Sequence, residues 1–158
     1  MKGRFLTGAW RHLAMINWVV EPELLRPLAP RGTEVDTFDG RCFVSLVGCL
    51  FEKTRVLGVA MPGHTRFEEV NLRFYVRRQD PESGELKRAV VFVREIVPRR
   101  AIAWTARLTY NERYVAHPMH HDVVLPGGDG PGHFEYGWRA NGEEHAMRVD
   151  IQGPPFPL

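Results

Sequence analysis

Four polar residues of different chemical type occupy every second position in one stretch near the middle of the chain. A carboxylate, an amide, a guanidinium and a phenol stand at every second position: Glu69, Asn71, Arg73 and Tyr75. The positions that follow each of them are apolar: Val70, Leu72, Phe74 and Val76. Alternation with period two predicts an extended strand with two unlike faces. Its polar face either lies in solvent, as a ladder of acid and arginine, or lines a cavity inside a closed or strongly curved sheet.

A second group of polar residues follows further along the chain: Arg107, Tyr110, Glu112 and Tyr114. Residues 101–110 also alternate, and Arg107 belongs to their small or polar side. If the polar sides of 67–77 and 101–110 both face inward, the eight residues line a pocket and its rim. Arginine can clamp an anion, and a glutamate beside it can act as acid or base. We therefore expect a small carboxylate or carbonyl compound as ligand, with Glu69 supplying non-covalent acid/base chemistry.

The same residues also have a purely structural interpretation. A buried network of ion pairs would fix the register of the strands without binding any ligand. The chain would then be a non-catalytic interaction module, such as a homodimer, with a pocket sealed by its own side chains.

Other common chemistries have little support in the sequence. The histidines in residues 117–121 lack the spacing of known metal motifs, and the adjacent His120 and His121 point to opposite sides of an extended chain. Ser45 and Ser83 lack the motif of a nucleophile elbow. The glycine-rich residues 127–132 lack the strand-to-helix context of a phosphate-binding loop. We therefore expect no metal and no cofactor.

Composition and charge narrow the class of protein. The 158 residues are 44% hydrophobic and 25% charged, which is typical of one globular domain spanning residues 1–158. The net charge of +2 gives no reason to expect nucleic acid or an anionic membrane as partner. No run of apolar residues is long enough to span a membrane. In one extended strand Cys42 and Cys49 would lie roughly 23 Å apart, too far for a disulfide, which favours a reducing, cytoplasmic location.

The remaining pattern predicts eight or nine strands, joined largely by hairpins, and one or two short helices. The predicted strands are 12–20, 35–38, 41–51, 67–77, 87–97, 101–110, 120–125, 133–140 and 145–151, with a helix of about two turns at 21–28. Residues 111–119 are predicted to be a loop or short helix. Asn141-Gly142 is a strong hairpin signal, and Asp39-Gly40 indicates a further hairpin between residues 35–38 and 41–51. The expected fold is α+β and mostly antiparallel, a barrel or strongly curved sheet, with a β-sandwich as the alternative.

Three segments resemble an uncharacterised family of bacterial conserved domains that is related by fold to acetoacetate decarboxylase. They are residues 67–78 (FEEVNLRFYVRR), 90–98 (VVFVREIVP) and 110–114 (YNERY). Residues 17–22 and 30–36 fit the same family. The resemblance implies an acetoacetate-decarboxylase-like, cone-shaped antiparallel barrel or curved sheet around a central cavity. Because the family is longer than this chain, it also implies that a C-terminal closing element is missing.

The resemblance implies less about chemistry than about fold. In the decarboxylase a lysine forms a Schiff base with a β-keto acid, beside a second lysine that lowers its pKa. Glu69, followed by Val70, matches the glutamate of that site. The reactive lysine would fall near residues 110–114, where this chain has none, and arginine cannot replace an amine nucleophile. The alternative is a lysine-dependent decarboxylase-like or aldolase-like enzyme that uses Lys53 or Lys87.

Overall fold

The computed structural model describes residues 6–56, 59–60, 65–98, 114–127 and 131–152. Within these ranges strands dominate, and the helical elements are short. In chain order the elements are β1 (Leu6–Val20), α1 (Pro22–Leu25), a 3-10 helix (Arg26–Leu28), β2 (Glu34–Val35), β3 (Cys42–Val56), β4 (Val59–Ala60), β5 (Phe67–Gln79), β6 (Leu86–Val97), β7 (Tyr114–Ala116), β8 (Met119–Val124), β9 (Gly132–Ala140) and β10 (Glu143–Ile151).

The larger of two sheets has the strand order β1-β3-β5-β6-β7, with β2 paired to β5 and β4 to β3. These pairs are antiparallel except β6–β7, which is parallel. The register shifts twice between β1 and β3 and once between β5 and β6. Because a bulge bends its strand and increases the twist, these shifts curve the sheet. Within the described ranges the sheet does not close, so the strongly curved sheet is the predicted form that is confirmed.

The smaller sheet, in the order β10-β9-β8, covers one face of the larger sheet. The core between them contains Leu50 and Val70 from the larger sheet and Tyr136 and Met147 from the smaller one. Gly48 permits this close packing, because a Cβ at that position would lie 2.9 Å from the sulfur of Met147. One face of the curved sheet therefore packs in the core between the two sheets.

Short local signals account for the turn between β9 and β10 and for the first helix. Asn141 and Gly142 have positive φ angles of 52° and 84°, which a type I′ hairpin requires. Pro22 begins α1, where its missing N–H would have no partner anyway. Leu25 of that helix packs against the buried thiol-bearing residue Cys42. Both hairpin and helix are confirmed as predicted.

The predicted hairpin between residues 35–38 and 41–51 forms only at its tip. Phe38 and Arg41 make the single bridge across the turn. Val35 pairs with Val76 of β5 instead, and it packs there against the apolar cluster around Leu25. The gain in apolar burial explains why this segment crosses to β5 rather than extending the hairpin.

In the described part of residues 111–119, the predicted loop or short helix is wrong at residues 114–116 and at Met119, which lie in strands, and only residues 117–118 form a loop. Residues 114–116 form β7, which lies parallel to β6. Tyr114 and Ala116 pack against a buried cluster that contains Cys49 and Val97, a contact between distant parts of the chain. The predicted strand at 101–110 lies outside the described residues.

Candidate functional site: a polar row on the curved sheet

The polar side of β5 is buried at one end of the strand. Glu69 and Asn71 are 2% and 1% exposed, and Arg73 and Tyr75 are half-buried. The intervening Val70 and Phe74 are fully buried on the opposite face. Both faces of the strand are therefore shielded from water. The polar row is not the solvent-exposed ladder of acid and arginine that was one of the two alternatives.

Glu69 is held by two side chains that reach it from different positions in the fold. The amide Nδ2 of Asn71 donates a hydrogen bond to Glu69 Oε1 at 3.0 Å, and the phenol of Tyr114 donates one to Oε2 at 3.2 Å. The parallel pairing of β7 with β6 places Tyr114 opposite Glu95, within reach of Glu69. Three of the sequence-predicted residues therefore meet around one carboxylate.

The other half of the row forms a second group around a phenol. The guanidinium carbon of Arg73 lies 5.9 Å from the centre of the Tyr75 ring, within the range of a cation–π contact. Tyr75 Oη is 2.7 Å from Ser45 Oγ, which in turn donates to Asn17 Oδ1 at 2.6 Å. Neighbouring strands β1, β3 and β5 supply these groups side by side, because Asn17 pairs with Ser45 and Ser45 with Arg73.

Sequence reasoning did not assign Asn17, Ser45 or Glu95 to the site. Ser45 is fully buried and Glu95 is 1% exposed, directly opposite Asn71 on β6. A signal was present for Ser45, since a single polar residue inside an apolar strand is usually buried with a partner. Asn17, by contrast, is exposed, and Glu95 directly follows a second charged residue, Arg94. The strand register that brings these residues beside the row is not visible in any one segment.

Two buried polar atoms of the row make no hydrogen bond to the part of the chain that the structure describes. They are Asn71 Oδ1, an acceptor, and Arg73 Nε, a donor. Both lie on the same side of β5, two residues apart. A buried polar atom normally has a partner, so this pair marks a place where a polar ligand or water could bind.

An open pocket of about 620 Å³ lies on the same face, at the end where Tyr75 is found. Its apolar lining residues are Met15, Phe38, Phe43, Ala89 and Val90, and its polar ones are Asn17, Asp36, Thr37, Tyr75 and Arg88. Of the sequence-predicted residues that the structure describes, Tyr75 alone lines it. Arg73, which contacts Tyr75, stands between this pocket and the buried Glu69.

Cys49 lies on β3 directly opposite Glu69. Burial raises the pKa of its thiol to about 12, and the negative charge of Glu69 adds to that effect while Arg73 opposes it. Cys42 is also buried, and both thiols are free, as the sequence predicts. A thiol with a raised pKa carries little thiolate near neutral pH, so this environment does not activate Cys49 as a nucleophile.

The remaining sequence-predicted residues are either elsewhere or undescribed. Arg107, Tyr110 and Glu112 lie outside the described residues. Lys53 and Lys87 are exposed, and the ammonium group of Lys87 pairs with Asp80.

The histidine-rich segment forms part of β8. His121 Nδ1 bonds Glu68 Oε1 at 2.6 Å, and the ring of His120 lies against Gly137. Neighbouring histidines thus point apart, as predicted. In the ranges that the structure covers, no three His, Cys, Asp or Glu side chains cluster in a way that would hold a metal ion.

The described helices are all too short or too polar to cross a lipid bilayer.

Comparison with known proteins places the chain in a family. The sequence profile of DUF2071, described as an uncharacterized conserved protein, matches residues 7–158. The chain belongs to the DUF2071 family. This DUF2071 chain is 32% identical over 68 residues to the uncharacterized protein YqjF of Bacillus subtilis (strain 168), a match that covers 42% of the chain and 28% of YqjF.

Solved structures similar to this DUF2071 chain share the acetoacetate-decarboxylase-like fold. The enduracididine biosynthesis enzyme MppR, in complex with the condensation product of pyruvate and imidazole 4-carboxaldehyde, has a TM-score of 0.64 at 17% identity, over 90% of the chain and 56% of MppR. Acetoacetate decarboxylase from Legionella pneumophila has a TM-score of 0.62 at 11% identity, over 90% and 48%. An acetoacetate decarboxylase-like enzyme from Sphingomonas wittichii RW1 gives 0.64 at 15% identity, over 93% and 58%.

The family and the fold relationship predicted from the sequence are therefore confirmed. The DUF2071 chain spans about half the length of the solved proteins that it matches.

Proposed function

We propose that the polar row of β5 binds a small carboxylate or carbonyl compound and that Glu69 acts on it as a non-covalent acid or base. The observation that carries this proposal is the buried carboxylate of Glu69, hydrogen-bonded by Asn71 and Tyr114 on the face of the sheet that also forms the pocket. A positioned, water-shielded carboxylate is suited to moving a proton beside a carbonyl group.

The chemistry follows from the groups in the row. The guanidinium of Arg73 attracts the ligand carboxylate, and its buried Nε is one donor for which the described chain offers no acceptor. Glu69 takes a proton from the carbon next to the ligand carbonyl, and the electron pair of the broken C–H bond moves onto the carbonyl oxygen. Transfer of that proton to the oxygen completes an enolisation. Where the next carbon carries a hydroxyl group, the enolate expels it, and the proton held by Glu69 goes to the departing hydroxide, which leaves as water. Hydration is the reverse of that step.

The solved relatives support this choice of ligand class. MppR has been solved with pyruvate and with a pyruvate condensation product, so a protein of this fold accommodates a small oxo acid. Arg73, Asn71 and Glu69 offer a cation, an amide and a carboxylate to a ligand of that kind. The chain itself shares only 16–17% identity with these complexes, so its ligand is inferred from its own side chains.

Proton exchange at carbon tests the proposal directly, because enolisation and dehydration begin with loss of a proton beside the carbonyl and hydration ends with its return. In D₂O, we expect the protein to accelerate loss of the C3 proton signals of 2-oxo acids, followed by NMR. Glu69→Gln keeps the shape but removes the base, and it should lower the exchange rate by about 10²–10⁴-fold.

Glu68→Gln is the matched control, because Glu68 is adjacent in sequence and bonds His121 instead of the row. It should exchange at the wild-type rate. An unchanged rate in Glu69→Gln would show that Glu69 is not the base.

A lysine-dependent decarboxylase or aldolase-like activity is the alternative chemistry. A Schiff-base lysine needs a neutral amine in a shielded site, whereas Lys53 and Lys87 are exposed and Lys87 is paired with Asp80. Borohydride reduction in the presence of a β-keto acid would trap an adduct on either lysine. Detection of that adduct by mass spectrometry would favour the lysine-dependent mechanism over acid/base chemistry by Glu69.

An interaction module is the second candidate, and the exposed apolar residues of β1 favour it. Trp10 and Trp18 are 50% and 46% exposed, and Val19 is 57% exposed. In the described sheet β1 pairs only with β3, so its outer edge could pair with β1 of a second copy around a two-fold axis. Light scattering after size exclusion would detect such a homodimer, and Trp18→Glu should dissociate it.

A further inference from the structure

The open pocket beside Tyr75 is separate from the buried carboxylate of Glu69. Glu69, Asn71 and Arg73 do not line it. Glu69 and Tyr75 are six residues apart on β5, which is roughly 20 Å along an extended strand. The kind of molecule that fits this pocket therefore depends on its own lining residues and not on the chemistry of Glu69.

Apolar side chains that are partly open to water surround the pocket. Phe38, Val90 and Met15 are 76%, 40% and 37% exposed, and all three line the same cavity. Phe43 and Tyr75 add two further aromatic side chains. Single exposed apolar residues are common on protein surfaces, but a group of them around one concavity is typical of a ligand site. An aromatic molecule in this pocket would shield these side chains from water and pack against their rings.

The charges around the pocket favour a neutral ligand. Arg88 Nε lies 3.2 Å from Asp36 Oδ2, and Asp36 Oδ1 accepts the backbone N–H of Thr37 at 3.0 Å. The guanidinium of Arg73 lies over the Tyr75 ring, so a cationic ligand would meet a positive charge there. An ion of either sign would lose its water shell without gaining an uncompensated partner, which costs free energy.

The wall formed by residues 36–38 is fixed by backbone pairing at both ends. The N–H of Asp36 donates to the carbonyl of Tyr75 at 2.9 Å, which extends the β2–β5 pairing by one residue. Phe38 and Arg41 form the bridge that closes the turn after the wall. The pocket is thus formed before a ligand binds, which lowers the entropy cost of binding.

Asn17 gives the pocket a hydrogen-bond donor with a defined direction. At 2.6 Å, the contact between Ser45 Oγ and Asn17 Oδ1 has the length of an O–H···O bond, so the Ser45 hydroxyl occupies the oxygen of the amide. The other end of the amide, Nδ2, donates only, and no described residue accepts from it. Since Asn17 is exposed and lines the pocket, the matching ligand group is an acceptor such as a carbonyl oxygen.

We propose that this pocket is a second binding site, for a neutral aromatic molecule that carries a hydrogen-bond acceptor beside its ring, such as an aryl ketone, ester or amide. The aromatic side chains contact the ligand ring, Asn17 Nδ2 donates to the acceptor, and the Asp36–Arg88 ion pair stays intact. The volume of about 620 Å³ is typical of small-molecule sites and holds two fused rings. This site goes beyond the proposed function and does not depend on it.

Three naphthalene derivatives with the same fused rings test the preference for a neutral ligand. 2-Acetylnaphthalene is neutral with a carbonyl acceptor, 2-naphthoate is an anion and 2-naphthylmethylammonium is a cation. In equilibrium dialysis, we expect 2-acetylnaphthalene to bind about tenfold more tightly than either ion, because each ion would be desolvated without a free partner.

Blocking variants locate the site. Val90→Trp places a larger side chain in the pocket from β6, opposite Tyr75, and should weaken binding of 2-acetylnaphthalene by about tenfold or more. Leu86→Trp is the matched control, because Leu86 is 51% exposed on the same strand and does not line the pocket. It should bind like the wild type. Met15→Trp fills the pocket from β1 and is the second blocking variant if Val90→Trp does not fold.

Asn17→Leu tests the hydrogen-bond donor. It should weaken binding of 2-acetylnaphthalene about fivefold relative to 2-ethylnaphthalene, which has no acceptor, because one hydrogen bond is lost. The ratio between the two compounds in one variant cancels any general change in the pocket.

Each part of the proposal has its own contrary outcome. Binding of either ion as tight as that of 2-acetylnaphthalene overturns the neutral ligand class. Binding that neither Val90→Trp nor Met15→Trp weakens places the compound elsewhere and overturns the site. An unchanged ratio in Asn17→Leu overturns the role of its amide. No binding of 2-acetylnaphthalene up to its solubility limit overturns the whole proposal, including the case in which light scattering shows that a second copy covers the pocket.

Discussion

Asn71 donates a hydrogen bond to Glu69, two residues earlier on the same strand, and both side chains are almost completely buried. Residues two apart on a strand lie on the same side, about 6.6 Å apart along the backbone. The amide therefore supplies a donor to a carboxylate that has lost most of its contact with solvent. The same hydrogen bond thus stabilises β5 and positions the carboxylate that is proposed to act on the ligand.

Asn71→Asp should destabilise the protein by about 3 kcal/mol at pH 7, because it replaces the donor with a second buried carboxylate. Two adjacent carboxylates cannot both ionise readily, so the pKa of the pair is raised in the folded state. The destabilisation is then largest above the ordinary carboxyl pKa and should shrink as the pH falls to about 5. Urea unfolding at pH 7 and pH 5 measures it.

Asn71→Leu is the control for that pH dependence. It removes the same donor without adding a charge, so its free-energy loss should be similar at both pH values. An equal pH response in the two variants would mean that the carboxylates do not interact.

Gly48→Ala should cost about 1–3 kcal/mol in the free energy of unfolding. The added methyl would lie 2.9 Å from both Tyr136 Cγ and Met147 Sδ, in the core between the two sheets. Gly127→Ala is the control, because, apart from its chain neighbours, no atom of the described residues lies within 4 Å of the added methyl there. A shift of the urea midpoint of equal size in both variants would contradict the close contact of the sheets at Gly48.

Ser45→Ala should lower the stability by about 0.5–1.5 kcal/mol, because it removes both hydrogen bonds of the chain from Asn17 to Tyr75. Urea unfolding measures this loss, with the wild type as reference. An unchanged urea midpoint would show that the hydroxyl chain from Asn17 to Tyr75 contributes nothing to stability.

Cys49 should make the protein less stable at alkaline pH. Its pKa is raised from 9.0 to about 12 in the folded state, mainly by burial. The unfolded chain therefore releases the thiol proton first, and stability falls as the pH rises from 9 toward 12. Cys49→Ala should show a smaller slope of unfolding free energy between pH 8 and pH 10.5.

Cys49→Ala also lowers the free energy of unfolding by an amount that does not depend on pH, because it removes packing in the core. The quantity to compare is therefore the slope of the unfolding free energy against pH. Ellman's reagent gives an independent check, because both buried thiols should react slowly in the native protein and rapidly in urea. Fast native labelling would rule out the burial on which this prediction depends.

Asp80 should contribute to stability against acid. Its pKa is lowered from 3.8 to about 2, first by its hydrogen bond with Lys87 and then by the backbone N–H groups of Ser83 and Glu82. The folded state thus favours the ionised form, and this contribution is present above pH 4 and lost as the pH falls toward 2. Asp80→Asn should lose less stability than the wild type between pH 5 and pH 2.5 in thermal unfolding.

Glu82→Gln is the control for the acid series, since Glu82 is an exposed neighbour in the same turn. It should follow the wild-type curve. If Asp80→Asn also follows the wild type, the pairing with Lys87 does not persist in solution.

Local patterns were sufficient to predict the strand of residues 67–77, its two faces and the hairpin at Asn141-Gly142. Each depends on neighbours in sequence: period-two alternation reports burial of alternate residues, and an Asn-Gly pair adopts positive φ angles at little cost. Pro22 near its start and Pro27 and Pro30 towards its end likewise limited the predicted helix at 21–28 to about two turns. These features can be read from one segment at a time.

The contacts of the candidate site could not be predicted in this way. Tyr114 reaches Glu69 only because β7 pairs in parallel with β6, and the hydroxyl chain of Ser45 requires the registers of three strands. The ion pair between Asp36 and Arg88 likewise depends on two pairings, that of Asp36 with Tyr75 and that of β5 with β6.

The sequence by itself thus determined which residues of β5 share a side, because the alternation of side chains is a property of the extended backbone. The tertiary structure decided which of them meet Tyr114, Ser45 and the open pocket, because those contacts depend on strand pairings that minimise the free energy of the whole sheet and leave no signature in any single segment.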